Sequence, residues 1–210
     1  MLSKYYTIKC DGFHEITIQK SRFIGYVTRV HDEEEAQQFI QRIKKKHHDA
    51  THNCSAYIIG DNDEIQKAND DGEPSGTAGI PMLEVLKKLQ LKNTAVVVTR
   101  YFGGIKLGAG GLIRAYSSTT SETIKNVGIV ERQLMQGMLV SFAYPLLGKI
   151  ENELRNSEYI IDHIEYIEHI NMNVFVHINQ IQQFKDFIVN LSNNQVDIKD
   201  IEQKYIEVDV

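Results

Sequence analysis

The sequence has few features that would cross-link the chain or anchor it in a bilayer. Cys10 and Cys54 are the only cysteines among 210 residues and form no CxxC pair, which argues against a disulfide framework. No window approaches 18 consecutive apolar residues, so a transmembrane helix is excluded. Residues 1–6 contain no apolar core of a signal peptide. We therefore expect a cytoplasmic protein with two reduced thiols and no membrane partner.

The standard nucleotide-binding and nucleophile motifs are also missing. Residues 103–108, Gly-Gly-Ile-Lys-Leu-Gly, do not match GxxxxGK[ST], which disfavours a P-loop ATPase. The same segment is not GxGxxG followed by a ribose-binding acid, and the chain has no GxSxG elbow. The sequence thus indicates no cofactor and no catalytic residue. Whether the protein is an enzyme stays open, and a protein without catalytic activity is favoured.

The composition is that of an ordinary globular protein, with 42% hydrophobic and 24% charged residues. Its net charge of −5 is divided unevenly, because residues 1–134 carry +2 and residues 135–210 carry −7. The first part is therefore the better candidate to meet a polyanion, and the second part is expected to repel one.

Hydrophobic periodicity predicts an α+β fold made of two domains. Asp11-Gly12 predicts a hairpin turn between the first two strands, and Asp32 with Glu35 predicts the capped start of the first helix. In the first domain, residues 1–134, strands are predicted at 5–9, 13–19, 22–30, 53–59, 65–68 and 94–99, and helices at 33–46, 81–90 and 110–128.

The second domain, residues 135–210, has a different pattern. Strands are predicted at 134–144, 160–167, 171–178 and 197–208, and helices at 146–156 and 181–191. This order, βαββαβ, is the split βαβ or ferredoxin-like arrangement.

Glycine is concentrated in one stretch of the first domain. Eight of the 14 glycines lie between Gly72 and Gly111, where charged side chains are interleaved with them. Glycine loses more backbone entropy on folding than other residues, so this density indicates tight turns or close approach of the backbone to another group. We interpret the stretch as a binding site.

Two predicted helices begin directly after glycine-rich segments, at residues 75–79 and 108–111. The first turn of a helix presents unpaired amides and the positive end of the dipole, and glycine lets an oxyanion come close. We therefore predict a site for phosphate groups at one or both helix starts. The alternative is a pair of tight turns with capping. The candidate residues for phosphate are Ser75, Gly76, Thr77, Arg100, Gly103, Gly104, Lys106, Gly110, Gly111 and Arg114.

Other polar residues nearby have two interpretations each. Asp70, Asp71 and Glu73 offer hard oxygen ligands for Mg²⁺, or they cap the loop and pair with nearby cations; the second is favoured, and no metal is assigned. Tyr101 and Phe102, beside Arg100, suit base stacking, although aromatics next to a buried strand more often belong to a core.

Histidines and a cysteine also cluster in the sequence at His47, His48, His52 and Cys54. Their spacing matches no common structural zinc pattern. His52 and Cys54 are neighbours at i,i+2 and rarely meet as a base and a nucleophile.

Two long motifs carry a resemblance to a known family. They are residues 68–79, ANDDGEPSGTAG, and residues 98–116, VTRYFGGIKLGAGGLIRAY. Shorter matches lie at residues 20–24 and 52–57. On these residues the chain resembles the IMPACT family and its bacterial YigZ-like members. The motifs span the first domain, while the second resembles the ferredoxin-like appendage of the bacterial members in its pattern alone.

The resemblance implies that the first domain is similar to the second domain of small-subunit ribosomal protein S5, and that the second is similar to a domain of elongation factor G. The first fold recurs in translation factors and in small-molecule kinases with glycine-rich phosphate loops. Eukaryotic members oppose activation of a general-control kinase through its activator. This chain has no room for their extra N-terminal domain, so that partner is not carried over, and fold analogy alone does not decide function.

Two functions are therefore expected as alternatives. The favoured one is a non-enzymatic RNA- or ribosome-associated factor that modulates translation, with a base stacked on Tyr101 or Phe102 and the backbone held by loop amides and by Lys20, Arg22, Arg100, Lys106 and Arg114. The other is a small-molecule enzyme whose glycine-rich loops hold a phosphorylated ligand, with Asp71 or Glu73 binding Mg²⁺ or acting as a base.

Overall fold

The computed structural model describes all 210 residues, which fall into two units. The first unit comprises Tyr5–Glu131 together with Met1 and Val208–Val210. The second unit comprises Arg132–Glu207 together with Leu2–Lys4. The predicted division after residue 134 falls inside a continuous strand, Ile129–Phe142, so no turn marks it in the sequence.

The first unit is built on a five-stranded sheet in which all neighbouring strands are antiparallel. Its strand order is β2-β3-β6-β4-β5. The elements in chain order are β1 Lys4–Ile8, β2 Gly12–Ile18, β3 Ser21–Arg29, α1 Glu33–Lys46, β4 His52–Ile59, β5 Ile65–Asn69, α2 Gly79–Lys88, β6 Thr94–Tyr101 and α3 Gly108–Val127.

Alternating side chains of the central strands separate two cores, one on each face of the sheet. Val96 and Val98 of β6 pack with residues of α2 and α3. Ala95 and Val97 of the same strand pack with the apolar stripe of α1. The period of two along β6 therefore explains why helices cover both faces of the sheet.

Helix α1 begins as the sequence predicts. The Asp32 side chain accepts a hydrogen bond from the Glu35 amide at 2.8 Å, and Glu35 accepts one from the His31 amide at 2.7 Å. Its buried residues recur at helical spacing, and Lys44, Lys45 and Lys46 occupy the last turn, where cations favour the dipole.

The predicted hairpin of β1 and β2 is wrong. Strand β2 lies at the edge of its sheet and pairs with β3, while Tyr6 of β1 bridges Leu91. Asp11 accepts a hydrogen bond from the Arg29 amide, and the Arg29 guanidinium donates to the carbonyls of Ile8 and Lys9. The Asp-Gly segment is therefore held by β3 and does not join two paired strands.

The second unit has the predicted βαββαβ order. It comprises most of β7 Ile129–Phe142, then α4 Leu147–Arg155, β8 Ile160–Tyr166, β9 Ile170–His177, α5 Ile181–Ser192 and β10 Val196–Asp209. Among its strands, β7 pairs with both β9 and β10, and β9 pairs with β8. Alternate β9 residues pack on Ile150, Phe184 and Ile188 of the two helices. The two-domain α+β prediction with a ferredoxin-like second domain is confirmed. No helix of the chain is both long and apolar enough to cross a membrane.

Candidate functional site

Three segments of the first unit meet at one end of its sheet: the turn between β2 and β3, the loop of residues 70–78 before α2, and the loop of residues 102–107 before α3. The backbone of Gly103 packs so closely on the first turn that an added β-carbon would overlap the carbonyl oxygen of Lys20. The Gly103 amide also donates to the Ser21 hydroxyl at 3.1 Å. Glycine is therefore required at position 103 by close packing of two backbones.

A buried ion pair joins two of these segments. The Arg100 guanidinium donates through Nη1 to Oε1 of Glu73 at 2.7 Å, and the two residues are only 5% and 7% exposed. The Tyr116 hydroxyl donates to the same oxygen at 2.8 Å, and Nε2 of His52 lies 3.7 Å from Oε2. Burial beside this carboxylate strongly raises the pKa of Tyr116. The Glu73 carboxylate is thus occupied by structural partners.

One of the three guanidinium nitrogens of Arg100 has no partner. Its Nη2 lies 3.5 Å from the Ser21 hydroxyl, and its guanidinium carbon lies 5.4 Å and 5.5 Å from the ring centroids of Phe23 and Phe102. Its Nε atom is buried without a hydrogen-bond partner. Buried polar atoms are almost always paired, so this nitrogen is one of the few exceptions in the chain.

A cavity of about 370 Å³ lies at the start of α3. Its walls combine Arg100, Glu73 and Lys106 with apolar side chains and the first helical turn: Pro74, Phe102, Leu107, Gly108, Ala109 and Leu112. No side chain caps the helix at Leu107, and the first amides of a helix have no acceptor within it. The cavity therefore combines main-chain donors of the helix start with the Lys106 cation and the buried Arg100–Glu73 pair.

The start of α2 has a different environment. The Asp70 carboxylate accepts hydrogen bonds from the amides of Gly76, Ala78 and Gly79 at 2.8, 3.1 and 2.8 Å. The Thr77 hydroxyl donates to the Pro74 carbonyl at 2.7 Å. The Gly76 amide and the Thr77 hydroxyl are therefore engaged within the protein, whereas Ser75 is exposed. The phosphate contacts predicted for this loop stay a prediction.

The carboxylates considered for Mg²⁺ are engaged as well. Oδ1 of Asp71 lies 2.6 Å from Nζ of Lys44, and Oδ2 accepts from the Asn53 amide at 2.6 Å. Glu73 is held by Arg100 and Tyr116 as described above. No group of three or more His, Cys, Asp and Glu side chains is arranged to hold a metal ion. Capping and ion pairing, the favoured interpretation of the acidic residues, thus describes their contacts.

The two aromatic candidates occupy different environments. Tyr101 donates through its hydroxyl to Asp49 at 3.1 Å, and Nδ1 of His47 lies 2.9 Å from the same oxygen. Phe102 is 48% exposed beside the α3 cavity. Of the two, Phe102 is the more exposed.

The basic candidates also divide into two groups. Arg22 forms a two-hydrogen-bond pair with Glu15 and lies over the Tyr101 ring. Lys20, Lys106 and Arg114 are exposed and form no ion pair. The remaining candidates Gly104, Gly110 and Gly111 lie with them in the loop before α3 and in its first turn. Arg100 is too deeply buried to contact a ligand on the outer surface, which corrects its predicted role there.

Cys54 is buried and inert in this arrangement. Its thiol donates to the Asp70 carbonyl at 3.0 Å, and burial raises its pKa to about 12. Nδ1 of His52 is bound to the Asp71 carbonyl at 2.8 Å. A thiolate nucleophile needs a lowered pKa, so the geometry disfavours a Cys54–His52 pair. Sequence reasoning missed Ser21 and Tyr116, whose roles depend on contacts across 79 and 43 residues.

Comparison with known proteins places this site in a family. Residues 19–124 match the Impact N-terminal domain, and residues 140–195 match a domain of unknown function, DUF1949. The chain is 58% identical over 207 residues to the IMPACT family member YvyE of Bacillus subtilis, covering 99% of this chain and 95% of that protein. The chain belongs to the IMPACT family.

More distant IMPACT proteins match a smaller share of the chain. The family member YigZ of Escherichia coli is 34% identical over 151 residues, which is 68% of this chain and 74% of YigZ. An IMPACT homolog of Dictyostelium discoideum is 40% identical over 108 residues, or 50% of this chain and 31% of that protein. The crystal structure of a hypothetical protein, 27% identical, superposes with a TM-score of 0.61 and covers 96% of this chain and 99% of its own. Every residue of the α3 cavity lies within the Impact N-terminal match.

Proposed function

We propose that this IMPACT-family chain is a non-enzymatic, RNA-associated factor that modulates translation, and that it holds RNA at the start of α3. The observation that carries the proposal is the exposed group of cations around an uncapped helix start: Lys20, Lys106 and Arg114. We call these three side chains with Phe102 the α3 basic surface. A role beside RNA of the translation machinery would place the chain in the cytoplasm.

The chemistry of this surface suits a phosphodiester backbone. Amides at a helix start and the positive dipole end favour anions, and flexible cations add attraction that does not depend on base sequence. The half-exposed ring of Phe102 offers a face on which a base can stack. The resemblance to a family with members in translational control supports RNA of the translation machinery as the source.

The alternative, a small-molecule enzyme that uses Asp71 or Glu73, has support for its ligand but not for its chemistry. The α3 cavity is concave and lies at a helix start without a side-chain cap, which favours a compact phosphorylated ligand. The two acids, however, are held by Lys44, Arg100 and Tyr116. From this alternative we therefore keep the binding of phosphate and propose no reaction at Asp71 or Glu73.

Fluorescence anisotropy with a labelled single-stranded RNA, together with co-sedimentation with ribosomes, tests the proposal. The double variant Lys106→Ala/Arg114→Ala should weaken binding by about tenfold, because each lost phosphate contact weakens binding similarly for all sequences. Lys125→Ala is the matched control, since Lys125 is exposed in the last turn of the same helix and should change binding by less than about twofold. Unchanged binding by the folded double variant would overturn the proposal.

A further inference from the structure

We propose that a second contact with single-stranded RNA lies on the face of the first sheet that packs on α1, where a base stacks on the exposed ring of Phe13. Four side chains form the contact, and we call them the aromatic row: Phe13, Tyr26, His47 and Tyr101. This inference rests on the proposed function for its ligand, but no residue of the row belongs to the α3 basic surface. The two contacts can therefore fail separately.

Phe13 is an exposed aromatic residue on β2, an edge strand of its sheet. The residue is 59% exposed and lies opposite Tyr26 in the register of β2 and β3. A single exposed apolar residue is normal on a protein surface and by itself indicates no partner. The case for a partner therefore depends on what surrounds the ring.

The ring of Phe13 is one end of a connected set of rings. Its centroid lies 5.6 Å from that of Tyr26, with 28° between the ring planes. The steps from Tyr26 to His47 and from His47 to Tyr101 measure 5.4 Å and 6.0 Å between centroids. The two imidazole nitrogens lie 2.7 Å and 2.9 Å from the hydroxyls of these tyrosines. Because hydrogen bonds hold the row in place, a base can stack on Phe13 at little cost in side-chain entropy.

A cation lies over each end of the row. Nζ of Lys46 is 5.8 Å from the ring centroid of Phe13 and 4.8 Å from that of Tyr26. The guanidinium carbon of Arg22 is 5.2 Å from the ring centroid of Tyr101. Aromatic rings interleaved with cations suit single-stranded nucleic acid, because every base has a π-face and the backbone is negatively charged.

The charge around the row favours an anionic partner. Three exposed cations in the last turns of α1 form no ion pair: Arg42, Lys45 and Lys46. The two acids that contact this set of residues are engaged, because Glu15 accepts two hydrogen bonds from Arg22 and Asp49 accepts one from Tyr101. A surface with this excess of positive charge attracts a polyanion more strongly than a neutral or basic partner.

The position of the row connects it to the α3 basic surface. Tyr101, the last residue of the row, is followed directly in the sequence by Phe102 of that surface. A strand held there by its phosphates can therefore continue along the row and place a further base on Phe13. The strand must be single, because bases are free to stack on a side chain only where they are not already stacked within a duplex.

The test is fluorescence anisotropy of the full chain with two labelled oligomers of about ten nucleotides: oligouridylate, and an abasic ribose-phosphate oligomer of equal length. Phe13→Ala should weaken the binding of oligouridylate about tenfold, as expected for the loss of one stacked base. The abasic oligomer has the same phosphates but no base, so its affinity should change by less than about twofold. A purely structural role of Phe13 would weaken the binding of both oligomers.

Three further variants identify the aromatic ring as the cause. Phe13→Tyr keeps an aromatic face and should bind oligouridylate within about twofold of the unsubstituted chain. Phe13→Leu keeps only the apolar character and should lose binding as Phe13→Ala does. Tyr166→Ala is the matched control, because Tyr166 is an aromatic residue that is 58% exposed on the edge strand β8 of the second unit. The control should leave the binding of both oligomers unchanged.

The outcomes separate the two proposals. Unchanged binding of oligouridylate by Phe13→Ala would overturn the stacking contact, while a loss in Lys106→Ala/Arg114→Ala would leave the proposed function standing. Equal weakening of oligouridylate and the abasic oligomer by Phe13→Ala would also overturn the contact, because no base would be involved. A loss in Phe13→Ala that is specific to oligouridylate, with unchanged binding by Lys106→Ala/Arg114→Ala, would support the aromatic row and overturn the role of the α3 basic surface.

Discussion

At the scale of single residues, the carboxylate of Glu73 compensates the charge of the buried Arg100 guanidinium and so stabilises the folded state. Removing one partner of a buried ion pair leaves an uncompensated charge, which typically costs about 3–5 kcal/mol. We therefore predict that Glu73→Ala lowers the free energy of unfolding by about this amount, as measured by urea denaturation. Glu73→Gln should cost less, because the amide oxygen can still accept from Tyr116.

The control for this prediction is Glu84→Ala. Glu84 is paired with Lys87 at the surface, with 61% of its side chain exposed, so its loss should change stability by less than about 1 kcal/mol. If Glu73→Ala and Glu84→Ala lowered the free energy of unfolding by similar amounts, the stabilising role of the buried Arg100–Glu73 pair would be contradicted.

His47 gives a prediction about pH. Its Nε2 lies 2.7 Å from the Tyr26 hydroxyl, and its Nδ1 lies 2.9 Å from the Tyr101 hydroxyl. Burial lowers the pKa of His47, with repulsion from Lys46 and Arg22 adding to the effect and Asp49 opposing it. The unfolded state then binds more protons than the folded state, so stability should be complete above the unfolded pKa of about 6.5 and should fall as the pH drops below it.

Urea midpoints measured between about pH 5 and pH 8 test this dependence. In His47→Gln, which cannot titrate, the loss of stability toward acid pH should be smaller than in the unsubstituted protein. His48→Gln is the neighbouring exposed control and should keep the original pH dependence. The same acid sensitivity in His47→Gln would contradict the assignment.

Sequence reasoning found the site's exposed residues more readily than its buried ones. Lys106 and Phe102 were chosen for their charge and their ring, which are properties of the residue itself. Arg100 was chosen for its charge as well, but it was predicted to lie at the surface. Its burial depends on the ion pair with Glu73, 27 positions away, which the local sequence does not show. Asp70 was considered as a metal ligand or a cap, and only the fold shows that its carboxylate occupies the α2 amides.

At the scale of elements, the two acidic caps of the first unit differ in how many hydrogen bonds they accept. Asp32 accepts one amide at the start of α1, whereas Asp70 accepts three at the start of α2. Replacing a single cap by alanine costs about 1 kcal/mol, and hydrogen bonds to a charged group are stronger than neutral ones. We predict that Asp70→Ala destabilises by about 3 kcal/mol and Asp32→Ala by about 1 kcal/mol.

Urea denaturation of both variants gives the comparison, and Asp70→Asn provides an intermediate case with one acceptor oxygen. Equal losses of unfolding free energy in Asp32→Ala and Asp70→Ala would show that the two additional amide hydrogen bonds of Asp70 contribute nothing to stability. Circular dichroism should show that the helices are retained, since each cap affects one helix end.

The elements with strong local signals were predicted closely, and those that depend on distant pairing were not. The capping box and the apolar stripe placed α1 at its observed bounds, because both signals lie within the helix. The hairpin of β1 and β2 was wrong since an Asp-Gly pair specifies a turn but not which strands pair. The contacts of Asp11 and Arg29 that hold that segment come from a strand 18 residues away.

At the scale of the whole molecule, the net charge of −5 conceals the cationic α3 basic surface. Binding of RNA there should depend on salt even though the protein as a whole is acidic, since released counterions come from the phosphates that are contacted. Three contacts, from Lys20, Lys106 and Arg114, predict a slope of log affinity against log salt of about −2 for single-stranded RNA. Affinity should then fall by about fifteenfold between 50 mM and 200 mM salt.

The double variant Lys106→Ala/Arg114→Ala leaves one of these contacts, so its slope should approach about −0.7. Lys185→Ala is a control in the second unit, where Lys185 is paired with Asp200 at 2.8 Å, and its slope should equal that of the unsubstituted chain. Anisotropy titrations at four salt concentrations measure all three slopes. A slope near zero in the unsubstituted chain would mean that RNA is not held through its phosphates. If Lys185→Ala reduced the slope as much as the double variant does, the overall charge of the molecule, and not the α3 basic surface, would control binding.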